Sequence, residues 1–183
     1  TPGVPDLYQG TEFWDFSLVD PDNRRPVDFA ERVAALERLA NAGDPSRELL
    51  QQWRDGHIKQ FLIRQTLNCR REFPEVFLDG DYWPVAVEGE NADHVIAFIR
   101  RLGTRLLLVI APRLPATLLD STEIPLIPAD RWGNTRLRLP DIRTAQGWQS
   151  LINQKHFGQP EAFVRDLLAE FPVNILLGQL DTK

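Results

Sequence analysis

The chain reads as an α+β protein, helical in its first part and mainly antiparallel β in its second. Three observations predict this. Apolar residues recur at helical spacing from Asp28 to Phe73, strand-length apolar runs replace them after Gly80, and glycine or proline punctuates the changes. With 183 residues and 43% hydrophobic content, the chain can bury a substantial core as one large domain or two small ones. The composition shift near residue 80 gives the expected division, 1–80 and 81–183.

The elements follow in order. Val4 to Tyr8 is a short apolar stretch beside two prolines, expected as a strand end entering a loop. Residues 12–27 read as a long loop with fixed turns. Asp20-Pro21-Asp22-Asn23 is turn chemistry, because Asx side chains bond their own backbone and proline presets φ, and Pro26 holds Arg25 extended. Asp28 with Glu31 three residues on has the spacing of a capping box, so a helix starts there, with Phe29, Val33, Leu36 and Leu39/Ala40 on one face. Residues 41–45 stop it. Ser46 is expected to cap a second helix to about Asp55, Gly56 interrupts, and a third helix runs from about His57 to Glu72. Its stripe is Ile58, Phe61/Leu62, Cys69 and Phe73, and Pro74 ends it.

Beyond Gly80, His94–Arg101 and Thr104–Ala111 read as a hairpin turning at Leu102-Gly103. Thr135 to Leu139 alternates, with leucines on one face and arginines on the other. A helix over about Ala162–Glu170 and a last strand over Val173–Leu177 complete the pattern. The three helices are expected to pack on the β part.

Composition excludes several classes. Residues 1–80 carry 10 Lys+Arg against 14 Asp+Glu, and residues 81–183 carry 11 against 12, so neither part presents the basic face that a phosphate backbone needs. No apolar run approaches the ~20 residues of a membrane span. Nucleic acid and membrane are therefore not expected partners. Cys69 is the lone cysteine and reads as a buried, inert thiol. His57, His94 and His156 lie in no metal-ligand spacing, and no Gly-rich phosphate loop or Cys-His or Ser-His-Asp set is visible, so neither metal nor cofactor is expected. The absence of methionine leads us to expect that the chain starts inside a larger protein, as its C-terminal piece.

Three groups of residues can carry chemistry. Tyr8-Gln9-Gly10-Thr11-Glu12 places Glu12 where a strand meets a loop; it is either a functional carboxylate or one merely solvated on a turn. Asp20-Pro21-Asp22-Asn23-Arg24-Arg25-Pro26 presents carboxylates and guanidinium groups from a rigid backbone. They either grip sugar hydroxyls, which donate and accept, or pair among themselves to hold the loop. Trp14, Trp53, Tyr82, Trp83, Trp132 and Trp148 can stack on sugar rings, but large aromatics more often anchor a core. Trp14, beside the polar loop, is the best carbohydrate candidate among them.

These stretches resemble a known family. Pro2–Glu12 is similar to the eighth barrel strand and following loop of the α-amylase superfamily, and Leu67–Gly80 to its last barrel helix leading into a C-terminal β-domain. More narrowly, Pro2–Glu12, Ser17–Asp28, Asp55-Gly56-His57-Ile58-Lys59 and Trp132–Leu137 resemble the malto-oligosyltrehalose synthases. The likeness runs along the whole chain, more loosely over 114–130 and 140–160. His57 stands where that family usually has Arg, and Asn134 where Asp is common.

The resemblance implies a fold: the C-terminal end of a (β/α)8 barrel, with its last strand and helices in 1–80, followed by an antiparallel β-sheet or sandwich domain in 81–183. It implies a cytoplasmic isomerase that moves the reducing-end α-1,4 linkage of a maltodextrin to an α,α-1,1 linkage. The superfamily's nucleophilic Asp, acid/base Glu and stabilising Asp lie on earlier barrel strands, so no catalytic residue is expected here. Glu12, Asp20, Asp22, Arg24, Arg25 and Lys59 are then expected to wall the maltodextrin cleft together with the remainder of the barrel. Residues 81–183 are expected to act structurally. The alternative is a glucan-binding module using exposed Trp83, Trp132 or Trp148.

Overall fold

The structure, a computed structural model, describes residues 6–18, 20–139, 144–158 and 162–181. Four helices come first: α1 (Phe29–Asn41), α2 (Ser46–Gln51), α3 (His57–Glu72) and α4 (Pro74–Leu78). The Asp28 carboxylate accepts the Glu31 amide at 2.9 Å, the half of the capping box that matters most for an exposed helix start. Ser46 does not cap α2. It is buried as the first helical residue, and Asp44, just before Pro45, accepts its amide at 3.0 Å instead. Pro74 ends α3 and also opens α4, since the first position of a helix has no use for the N–H that proline lacks.

The stripe expected to bury α1 lies largely outside. Phe29 and Val33 are each 53% exposed and Leu36 is 38% exposed, whereas Ala35 and Leu39 are buried. Only the Ala35–Leu39 edge is sunk, and Gln60 of α3 donates to the Arg32 carbonyl at 3.0 Å from alongside. Nor do Asp6–Tyr8 form a strand: they join no ladder among the described residues, and a single extended segment with no such neighbour has nothing to receive its hydrogen bonds. Val4 and Pro5 of that expected strand lie outside the described residues.

Among the described residues eight strands follow: β1 (Asp81–Pro84), β2 (Ala86–Glu88), β3 (Val95–Leu102), β4 (Arg105–Pro112), β5 (Arg136–Arg138), β6 (Thr144–Ser150), β7 (His156–Phe157) and β8 (Asn174–Leu180). The main sheet is antiparallel, in the order β1-β3-β4-β8-β6-β7, and β2 pairs with β5 in a second, two-stranded sheet. Leu102 faces Arg105, so the hairpin turns through Gly103-Thr104, one residue later than the sequence indicates. The expected helix over 162–170 shrinks to α5 (Val164–Leu167). β6 and β7 were not expected, because Gly147 and the polar side chains of β6 hide it from any search for apolar runs.

The main sheet is the middle layer. Leu106, Leu108 and Ile110 of β4 enter one core with Ile99, Leu176, Trp132, Trp148 and Leu137; Leu107 packs on the opposite face with Cys69 of α3, Val76 of α4 and Ile175. A strand buried on both faces needs apolar residues at every position, which explains the unbroken run Leu106-Leu107-Leu108-Val109-Ile110. A third cluster joins Leu39, Leu49, Leu50, Ile58 and Phe61 to Ile152 and Phe171. The helices thus pack on the β part, as expected.

Candidate functional site

The first polar turn is built at Gly10. With Gly10 at φ +90°, the Thr11 amide and hydroxyl both donate to the Tyr8 carbonyl, at 3.1 and 2.6 Å. Glu12 then points at α1: its carboxylate meets Arg32 Nε at 3.2 Å. The same guanidinium donates to the Gly10 carbonyl at 2.5 Å and to the Asp28 carbonyl at 3.0 Å, and lies 4.6 Å from the centre of the Phe13 ring. Arg32 therefore ties the loop of residues 10–13 to the start of α1, around a buried Phe13. Neither Arg32 nor Phe13 was legible as part of a site. One looks like a polar position on a helix and the other like any loop aromatic.

From the opposite side the start of α3 closes on the same loop. Gly56 has φ +85°, and a Cβ there would sit 2.7 Å from the Trp14 amide nitrogen and 2.8 Å from Phe13 Cβ, so only glycine lets the two segments meet. The His57 ring stands edge-on to Phe13 at 4.8 Å and pairs through Nδ1 with Asp55 at 3.0 Å. Lys59 Nζ donates to the Phe13 carbonyl at 3.1 Å and lies 5.8 Å from the centre of the Trp14 ring. Trp14 donates its indole N–H to the Trp53 carbonyl at 2.6 Å while remaining 37% exposed.

The second polar turn folds mainly on itself. Asp20 pairs with Arg24, with an Arg24 Nη2 to Asp20 contact of 3.0 Å, and Asp22 pairs with Arg25 while accepting the Leu18 amide at 2.9 Å. The Asp20–Pro21 peptide is cis. Arg24 and Arg25 keep about three-quarters of their side chains in solvent (74% and 75%), so their remaining donors face outward. The Ser17 hydroxyl and amide hold the Asp15 carboxyl below its ordinary value, and the positive charges of Lys59 and Arg25 add to that effect.

The structure thus gathers Glu12 and Lys59 around Phe13. Asp20, Asp22, Arg24 and Arg25 form a separate set of pairs, with no hydrogen bond or ion pair to the first two among the described residues. Lys59 of the first set and Arg25 of the second both lower the Asp15 carboxyl, whose hydrogen bonds come from Ser17. Carboxylates already paired with guanidinium groups suit the gripping of hydroxyls more than the transfer of protons. Near the loop, Tyr8, Phe16 and Leu18 are widely exposed.

The aromatic candidates divide sharply. Trp132 and Trp148 are buried in the main core, so neither can offer a face to a sugar. Trp83 is half-buried under Arg101, whose guanidinium lies 4.9 Å from its ring centre. Arg136 and Arg138, on the solvent side of β5, both pair with Glu88 across the small sheet. Asn134 accepts the Glu90 amide at 3.0 Å and so holds the turn after β2.

No family model matches the chain. Among curated proteins, it is 44% identical over 134 residues to a maltooligosyl trehalose synthase of Mycobacterium tuberculosis, known in two strains; the match takes in 72% of this chain and 15% of the relative. Among solved structures, the maltooligosyltrehalose synthase of Arthrobacter ramosus is 35% identical, with a TM-score of 0.71, over 97% of this chain and 20% of that one. A single-substitution mutant of that enzyme gives 36% and 0.72 with the same coverage. Another maltooligosyl trehalose synthase structure is 25% identical, with a TM-score of 0.63. The chain spans about 15% of the length of the curated relatives it matches. In sequence and in fold, its homologues are the maltooligosyl trehalose synthases, and it corresponds to a small part of their length.

Proposed function

We propose that this chain is the C-terminal part of a maltooligosyl trehalose synthase, an enzyme that shifts the reducing-end α-1,4 linkage of a maltodextrin to an α,α-1,1 linkage. The observation that carries this reading is the 44% identity to the mycobacterial relative. In this reading residues 1–80 close the catalytic barrel, and residues 81–183 form a β-domain behind it. The exposed apolar stripe of α1 fits that placement, since Phe29, Val33 and Leu36 are left for another part of the protein to cover. The reactive carboxylates belong to earlier barrel strands, as in the superfamily the sequence resembles.

Rearrangement within one substrate requires that the freed sugar be held and water kept away, because water diverts transfer into hydrolysis. The loop of residues 9–28 suits that task. Arg32 and the start of α3 clamp it, and Arg24 and Arg25 offer guanidinium donors from a self-paired frame. Glu12 and Lys59 contribute by fixing the loop, each being already engaged. Burial of Trp132 and Trp148 favours a structural role for residues 81–183 over glucan binding by exposed tryptophans.

The test uses the full-length protein that carries this chain. It should convert maltopentaose to a trehalose-terminated product. Replacing Arg24 or Arg25 by alanine should raise the ratio of hydrolysis to isomerisation, or raise KM, by several-fold. Wild-type kinetics in both variants removes these arginines from the cleft.

A further inference from the structure

A groove of about 280 Å3 lies where α3 meets β6 and β8, on elements distinct from the loop of residues 9–28. It is lined by Gln65, Asn68, Gln149 and Gln154 together with Glu72, Cys69, Phe73 and Leu177. Four primary amides border it, with Gln65, Asn68 and Gln149 half-buried and Gln154 exposed. Each amide carries a donor and an acceptor, as each sugar hydroxyl does.

The hydrogen bonds present leave much of that capacity open. Gln65 Nε2 gives one of its two N–H groups to the Leu151 carbonyl at 2.8 Å, which fixes the side chain and leaves its oxygen without a partner among the described residues. Gln149 Nε2 donates to Gln154 Oε1 at 3.1 Å, so Gln149 Oε1 and Gln154 Nε2 have no partner among the described residues. Asn68 makes no side-chain hydrogen bond to a described residue. Gln154 also has φ +60°, a left-handed backbone that a residue with a Cβ adopts at a cost. Phe73 and Leu177 add an apolar surface suited to the C–H face of a sugar ring.

We propose that this groove binds an α-glucan chain as a secondary site. That the polyol is an α-glucan rests on the proposed function; the amide groove itself does not. Its volume is near the lower end of ligand sites, about 300 Å3, and suits the end of a sugar chain.

The test is a titration of the uniformly 15N-labelled chain with maltotriose, followed through side-chain amide resonances. Asn68, Gln149 and Gln154 should shift together and saturably. Asn68→Ala should weaken the fitted Kd about tenfold, the loss of one or two hydrogen bonds. Gln154→Gly should weaken it similarly while raising the urea midpoint, because glycine relaxes the backbone; a merely structural Gln154 gives the opposite stability change. Absence of saturable shifts at these amides, an equal response to glycerol, or unchanged affinity in both variants overturns the proposal. Product formation by the full-length protein is scored separately, so that loss of the groove and loss of the proposed activity are told apart.

Discussion

Arg32 holds four partners with one guanidinium: Glu12, the carbonyls of Gly10 and Asp28, and the Phe13 ring. Its side chain is only 16% exposed, so the ion pair is partly shielded from solvent. Arg32→Ala should cost about 2 kcal/mol in urea unfolding, because removing it leaves the part-buried Gly10 carbonyl and Glu12 carboxylate unpaired. Arg32→Lys should recover less than half, since a point charge cannot span the same fork. A second prediction concerns Cys69. Burial pushes its thiol up to about 11, the Glu72 charge adds to that, and Arg105 opposes it. A pKa raised above the unfolded value makes folding less favourable as pH climbs from about 9 to 11, since the unfolded chain releases the proton first. At pH 8 a thiol reagent should leave Cys69 untouched until urea unfolds the chain. The buried thiol was legible because it lies on an apolar helical stripe. Arg32 was not, because periodicity marks a polar face without showing what that face meets.

At the scale of elements, the start of α1 and both ends of α3 were the most readable features, whereas α2, expected to about Asp55, ends at Gln51. Asp28 with Glu31 fixes the start of α1, and Gly56 and Pro74 bracket α3, each through a local backbone preference that needs no knowledge of the rest. What a helix buries is another matter. The α1 stripe is apolar in sequence, yet Phe29, Val33 and Leu36 stay largely exposed because the helix sinks only its Ala35–Leu39 edge. The β6 strand escaped notice for the converse reason: its pairing with β8 makes it a strand, and its own polar composition does not. Gly56 allows a prediction at this scale. Gly56→Ala combines a left-handed backbone with contacts below 3 Å, so it should cost about 2 kcal/mol and loosen residues 10–14 from α3. Trp14 fluorescence should then become more quenchable by iodide. An unchanged accessibility means that the loop is held by other contacts.

Across the whole molecule, one antiparallel sheet organises two cores. Its β4 strand is buried on both faces, and its neighbours receive the helices on one side and the Trp132–Trp148 core on the other. The general α+β character and the hairpin of β3 and β4 could be read from apolar runs and turn residues. The third cluster could not, since it joins Leu49 and Phe61 to Ile152 and Phe171 across a long sequence separation. The polar loop's residue types were visible in the sequence, but their pairing was not. Asp and Arg side by side fit equally a frame that closes on itself and a hand that holds a ligand. The structure shows the frame, with two guanidinium groups still open to solvent.

The most direct measurement compares this chain with the full-length protein that carries it, each incubated with maltopentaose and analysed for α,α-1,1-linked product. The chain alone should leave the oligosaccharide unchanged, while the full-length protein should yield a trehalose-terminated chain. Trehalose-terminated product from the chain alone, or none from the full-length protein, contradicts the account.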